Sequence, residues 1–406
     1  MPAFPRTAQV RRGVAVVAVL AVACGAGAGA AAGQASVTTP TMPTTPTPGT
    51  TGTTSVATTP SAPGAPQGSG APVDLTILAS GDLLVHKSVW TAASAMAGGG
   101  GYDFAPMFRR IKPYVQGADI ALCHVETPLV PDAPRGFPVF STPPALARAI
   151  QSTGWDACST ASNHTLDRGQ YGVDSTIAAL RRNGIEYAGS ASSPAGARRI
   201  AMLHAKGVTV AFLAYTQLSN GQPMPHAWSI KWASAGAIIA DARRARRRGA
   251  DAVVVNVHWG DEYSHAPNAA QWQLADALMR SRAVTAVVGQ HVHVVQPVRR
   301  VRGKPVVFGE GNLISGQGSW AGMPPATGDG YMALLRVRIG ADGRDRLRRV
   351  DYVPVYVGHP GPEVVPVGLA LRRGEGPTAE YRASWQRTVA TVGRGTAHGP
   401  WDRPTP

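Results

Sequence analysis

Five apolar runs along this chain each stop at a cluster of Asp, Asn, Glu or His, and that recurrence limits the fold more than any other feature. Leu75–Ser80 reads as a strand ending in Gly81-Asp82. Ala118–Cys123 ends in His124-Val125-Glu126, and Trp155–Ala161 runs into Ser162-Asn163-His164 and on to Asp167. The Val-rich run Ala252–Val257 ends in His258-Trp259-Gly260-Asp261-Glu262, and Ala283–Val288 ends in Gly289-Gln290-His291-Val292-His293. In open α/β sheets the loops after the carboxyl ends of the strands converge on one edge, and ligands bind there. A single histidine at one such end is more simply a core or surface residue. Five consecutive ends supplying metal-ligating types favour a shared metal site. His291 and His293 are two residues apart, so on an extended strand they should face the same side.

The segments between these runs read as helices. Thr142–Thr153 opens with Thr-Pro-Pro, and Gly169–Asn183 places Val173, Ile177 and Leu180 at helical spacing and stops at Gly184. Ser234–Arg248 and Asn268–Ser281 follow the same logic. Ile200–Leu203 and Val208–Tyr215 read as a hairpin turning at Ala205-Lys206-Gly207. The later strands Pro305–Phe308, Tyr331–Ile339 and Leu347–Pro354 follow one another without long helices. Alternating βα units followed by a strand-rich half predict two sheets packed face to face and flanked by helices, in one catalytic domain over residues 73–360 with an extension over 361–406.

The region before that domain has a different character. Arg6, Arg11 and Arg12 precede the short apolar run Gly13–Cys24, which is below the roughly 18 residues of a membrane span. Small residues follow, so residues 1–35 read as a secretory signal peptide. Ala21-Val22-Ala23-Cys24 leaves a second reading open, in which Cys24 is acylated and anchors the protein. Residues 36–72 are Thr, Pro, Ser, Gly and Ala almost throughout and bury too little apolar surface to offset ordering entropy, so they read as a disordered linker. Three of the 39 basic residues fall in residues 1–72, leaving 36 against 24 acidic groups, a formal +12 on the remainder. Much of that charge is Arg on helix faces, as in Arg243–Arg248, where a solvated face is the simpler reading. No stacking-aromatic motif accompanies it, which argues against nucleic acid, and the surplus charge is a weak pointer to a polyanion or an anionic membrane surface. Beyond Cys24 only Cys123 and Cys158 remain, and we expect two buried free thiols, with a disulfide as the alternative.

The ordered set Gly81-Asp82, His124-Val125-Glu126-Thr127-Pro128, Ser162-Asn163-His164 with Asp167 and Gly169, His258-Trp259-Gly260 with Glu262-Tyr263, Gly289–Pro297 and Gly311-Asn312 resembles the CapA family. These are poly-γ-glutamate capsule synthesis proteins built on the calcineurin-like metallophosphoesterase fold. The resemblance covers roughly residues 75–320 and implies a four-layer αββα sandwich with a metal site at the sheet edge. By analogy, Asn163, His258 and His291 hold one metal, Asp82 and His293 another, and Glu126 stands between them. Imidazole, carboxylate and amide donors suit one or two divalent ions of Mn, Fe or Zn. His164, oriented by Asp167 one helical turn on, is the candidate acid for a leaving group. Glu262 is expected behind the ligands. The wider superfamily opens with Asp-x-His, whereas Leu84 stands two residues after Asp82; His124 is placed to supply the missing imidazole. The resemblance implies work on an anionic envelope polymer, in synthesis, anchoring or export, beside a membrane capsule synthase complex. A different class of function competes, a metal-dependent envelope hydrolase cutting a phosphoester or γ-glutamyl amide.

Overall fold

Side-chain alternation along the strands decides the layering. The computed structural model describes residues 71–359, 361–393 and 397–398. Its first sheet opens with β1 (Val73–Leu84), β2 (Ile120–Val125), β3 (Ala157–Ser159) and β4 (Glu186–Ala188), all parallel. The hairpin β5 (Ala201–Ala205) and β6 (Val208–Thr216) starts a second sheet. It continues with β7 (Ala252–His258), β8 (Ala286–Gln290), β9 (Val298–Val301) and β10 (Lys304–Val307), in the order β5-β6-β7-β8-β10-β9. The chain then returns to the first sheet. There β11 (Asn312–Ser315) runs along β1, followed by β12 (Asp329–Ile339), β13 (Asp345–Gly358), β14 (Glu363–Pro366) and β15 (Ala397–His398).

On β1, Leu75, Ile77 and Ala79 face the second sheet, while Leu78 and Leu83 face the outer helices. On β7, Ala252 and Val254 meet the first sheet, while Val253, Val255 and Val257 meet helices on the other side. Burial on both faces is why the middles of these strands read as largely apolar runs. The helices over the first sheet are α1 (Lys87–Met96), α2 (Lys112–Gln116), α3 (Ala145–Thr153) and α4 (Gly169–Arg182), followed by the short α5 (Pro194–Ala197). Over the second sheet lie α6 (Ala235–Arg247) and α7 (Ala269–Arg280). Ser234 caps α6 and Asn268 forms a capping box on α7, as expected of polar residues ahead of an apolar periodicity. Three apolar layers therefore separate helix, sheet, sheet and helix, and the expected αββα sandwich is the fold.

The segment read as a C-terminal extension is built into the first sheet. β14 pairs with β13, and α8 (Val367–Arg373) and α9 (Thr378–Val392) pack against the same edge. Arg387 on α9 forks onto buried Asp329 at 2.6 and 2.9 Å. The expected signal peptide, the Cys24 anchor and most of the Thr/Pro-rich linker lie outside the described residues. No helix among the described residues is long and apolar enough to cross a membrane.

One expectation is corrected. Cys123 and Cys158 are joined in a disulfide rather than left as free thiols. They stand directly opposite each other on β2 and β3, with Cα atoms 4.4 Å apart, a pairing that register alone creates. The bridge closes a loop over a separation of 35 residues. Cys158→Ala should therefore cost the oxidised protein about 3–4 kcal/mol, read by urea unfolding. A wild type whose unfolding midpoint ignores reductant would contradict this.

Candidate metal centre

Parallel β1, β2 and β3 of one sheet and β7 and β8 of the other all run toward the same edge, so their last residues meet. Two glycines allow the close approach. A Cβ on Gly81 would sit 2.0 Å from the Gly311 carbonyl oxygen, and one on Gly289 would sit 1.9 Å from that of Phe308. Nothing larger fits either position, and the residues they free are Asp82 and the Gln290–His293 turn. Asp82 is wholly buried, and its backbone N–H donates to the Gly311 carbonyl at 3.0 Å.

Around Asp82 the side chains converge. His124 Nε2 lies 3.8 Å from Asp82 Oδ1 and 3.0 Å from His258 Nδ1. His258 Nε2 lies 2.9 Å from Asn163 Oδ1. On the other side His293 Nδ1 is 3.2 Å from Asp82 Oδ2, and its Nε2 is 3.6 Å from Glu126 Oε1. The His291 ring sits 4.6 Å from that of His258 and 5.9 Å from that of His293, centroid to centroid. Every residue expected as a ligand, Asp82, Glu126, Asn163, His258, His291 and His293, is at this edge. Three sets of donors lie within 4.8 Å of one another: Asp82, His124 and His258; Asp82, Glu126 and His293; Glu262, His291 and His293. The carboxylate common to two of these sets is Asp82. Glu262, expected behind the ligands, has a carboxylate within reach of both His291 and His293.

The electrostatics suit a cation. Burial pushes Glu126 well above the usual carboxylate range, and both its oxygens lack a hydrogen-bond partner, as does His291 Nδ1. A buried carboxylate that accepts no hydrogen bond is costly, and a divalent ion removes that cost. Burial lowers His124 to about 4 and His291 to about 3, and takes His258 well below the ordinary imidazole value; neighbouring histidines add to the effect. These rings are therefore neutral, which is the form that ligates. Burial opposes charge on His293 too, yet Glu126 and Asp82 outweigh it and hold this ring up at about 9. With nitrogen and oxygen donors and no thiolate, the residues fit a hard-to-borderline divalent metal.

Beside this cluster, His164 Nδ1 is 2.8 Å from Asp167 Oδ2, and the same oxygen accepts the Phe140 backbone N–H at 2.7 Å. Phe140 packs edge-on against the His164 ring at 4.7 Å. The pair sits in the turn preceding α4 rather than within a helix, because α4 begins only at Gly169. The strand-end geometry expected of His291 and His293 is also corrected. β8 stops at Gln290, and both histidines have positive φ, 96° and 56°. They reach the cluster from a tight, left-handed turn that costs on the order of 1–3 kcal/mol per residue. Period two therefore put both residues on one edge, while the backbone that carries them there is a turn and not a strand.

Two holding contacts escaped the sequence reading. Asn163 Nδ2 donates to Asn220 Oδ1 at 3.2 Å, which turns the Asn163 oxygen toward His258. Asn220 lies in the loop after β6, where Asn-Gly reads only as a turn. Asn312 Oδ1 lies 3.1 Å from His293 Nδ1, while its amide nitrogen donates to Gln317 and the Thr327 carbonyl. Such partners fix how a ligand points and tune metal affinity.

Two face-to-face sheets inside helices, with buried histidines, carboxylates and an asparagine across the converging strand ends, define an αββα protein with metal-ligating side chains gathered at one sheet edge. The chain belongs to the bacterial capsule synthesis protein family (PGA_cap), whose family model matches residues 76–317. It is 26% identical over 310 residues to the capsule biosynthesis protein CapA of Bacillus anthracis, covering 74% of this chain and 71% of that one. It is 27% identical over 211 residues to the PGA biosynthesis protein CapA of Bacillus subtilis (strain 168), covering 50% of this chain and 53% of that one, so it spans about half the length of this second relative. Among solved structures it is similar to the calcineurin-like phosphoesterase YfkN from Bacillus subtilis, at 15% identity and a TM-score of 0.45, covering 79% of this chain and 99% of that one.

Proposed function

We propose that this protein works at the bacterial cell envelope in the synthesis, anchoring or export of an anionic capsule polymer of the poly-γ-glutamate type. In this reading it acts through one or two Mn, Fe or Zn ions held by Asp82, Glu126, Asn163, His258, His291 and His293, with His124 beside them. Membership of the capsule synthesis family supports the polymer. The observation that carries the metal is the wholly buried Glu126 carboxylate, which accepts no hydrogen bond on either oxygen and lies 3.6 Å from His293 beside the neutral rings of His124, His258 and His291. Export rests on Arg6, Arg11 and Arg12 ahead of Gly13–Cys24, with Cys24 as the site of a lipid anchor if it is acylated rather than removed. The partner in this reading is a membrane capsule synthase complex.

In a strain lacking this protein, wild type should restore surface polymer, while the His258→Ala, His291→Ala double variant, expressed at the same level, should not. Restoration by that variant would remove the metal centre from the function.

A specific observation favours a second reading, hydrolysis of a phosphoester or γ-glutamyl amide at the same edge. A divalent ion here supplies Lewis acidity toward a phosphoryl or carbonyl oxygen. The chain adds a fixed proton carrier: Asp167 accepts from His164 Nδ1, which sets the ring's tautomer and leaves Nε2 without a protein partner among the described residues. The Phe140 ring and backbone hold both members of the pair in place.

A further inference from the structure

We propose a second polyanion site at the edge of the sandwich opposite the metal centre, in a cleft of about 520 Å³ between the two sheets. Its lining includes Arg282 before β8, Lys304 at the start of β10, and Arg344 and Arg346 around the start of β13. The one acid in the lining, Asp345, is already paired with Arg246 of α6 at 2.8 Å. Arg246 is pinned there by the Ala283 and Asp251 carbonyls and by Thr285. Lys304 Nζ donates to the Ser281 and Val284 carbonyls, so the cleft's positive charge is held in position. The side chains of Arg282 and Arg346 are exposed and make no hydrogen bond or ion pair among the described residues.

The register gives the distance. Asp345 lies opposite Ile339, and Ile339 lies opposite Val73, at the far end of β1 from Asp82. Nine residues of strand make the separation roughly 30 Å. A concave basic cleft suits a chain bearing repeated carboxylates, because each guanidinium fork takes one carboxylate and a polymer engages several at once. A membrane surface fits less well, since none of the exposed large apolar residues lines the cleft to insert into lipid. The site rests on the polymer reading above and extends it: a long polyglutamate chain is held at one edge while another stretch reaches the metal centre.

The test is binding of fluorescently labelled poly-γ-glutamate and of a γ-glutamyl trimer to the full chain, with anionic phosphatidylglycerol vesicles as a third probe. Arg282→Ala with Arg346→Ala should weaken long-chain binding about tenfold, and Arg282→Glu with Arg346→Glu should remove it. Metal content and melting temperature should stay unchanged, and the trimer, which cannot span both sites, should bind wild type far more weakly than the long chain does. Variants that bind the long chain as wild type does overturn the cleft and leave the polymer reading intact. A wild type that binds no polyglutamate overturns both. Charge-reversal variants that lose only vesicle binding make the cleft a membrane dock and overturn the proposal.

Discussion

Changing His258 and His291 together to alanine should leave the purified protein without bound divalent metal. His258 touches both His124 and Asn163, and the His291 ring lies 4.6 Å away, so the pair removes imidazole from both sides of the cluster. Losing two of the buried nitrogen donors takes away more than weakened orientation does, and orientation alone costs on the order of 10–100-fold in affinity. The fold should survive, because the three apolar layers do not depend on either ring. Elemental analysis beside a circular dichroism spectrum checks this. A folded variant with full metal content would show that the metal lies elsewhere.

The second large effect separates holding a metal from transferring a proton. His164→Ala should keep its metal, since His164 bonds Asp167 and packs on Phe140 rather than joining any of the donor sets. In the hydrolytic reading it should lose about 10²–10⁴-fold in rate on a substrate whose leaving group needs a proton. On a nitrophenyl ester, whose leaving group needs none, the loss should be much smaller. Equal losses on both substrates would deny His164 the role of acid. A wild type inactive on both that still binds polyglutamate would leave the polymer-assembly reading without a hydrolytic step.

Much of this edge was legible from residue order. Runs such as Ala252–Val257 are apolar at every position but Asn256 because both faces of a central strand are buried, and that also dictates helices on the outside of both sheets. Polar residues at the ends of such runs have nowhere to go but the common edge, so Asp82, Glu126, Asn163 and His258 could be placed before any coordinates. Asn220 could not, because its loop carries only a turn signal and its contact with Asn163 spans 57 residues. The cleft around Arg282 and Arg346 was equally hidden, since its walls come from three separate segments between Arg282 and Leu347.

Local pattern by itself determined the layering and the donor types, because alternation, apolar runs and chain-end chemistry are properties of neighbours in sequence. Register and turn geometry belonged to the tertiary structure. Only the pairing of β2 with β3 put Cys123 against Cys158, where composition favoured free thiols. Only the left-handed turn after Gln290 set His291 and His293 on Asp82, where an extended strand was expected. The reason is the same in each case: a contact between distant residues depends on how whole strands are packed, and no short window of sequence carries that information.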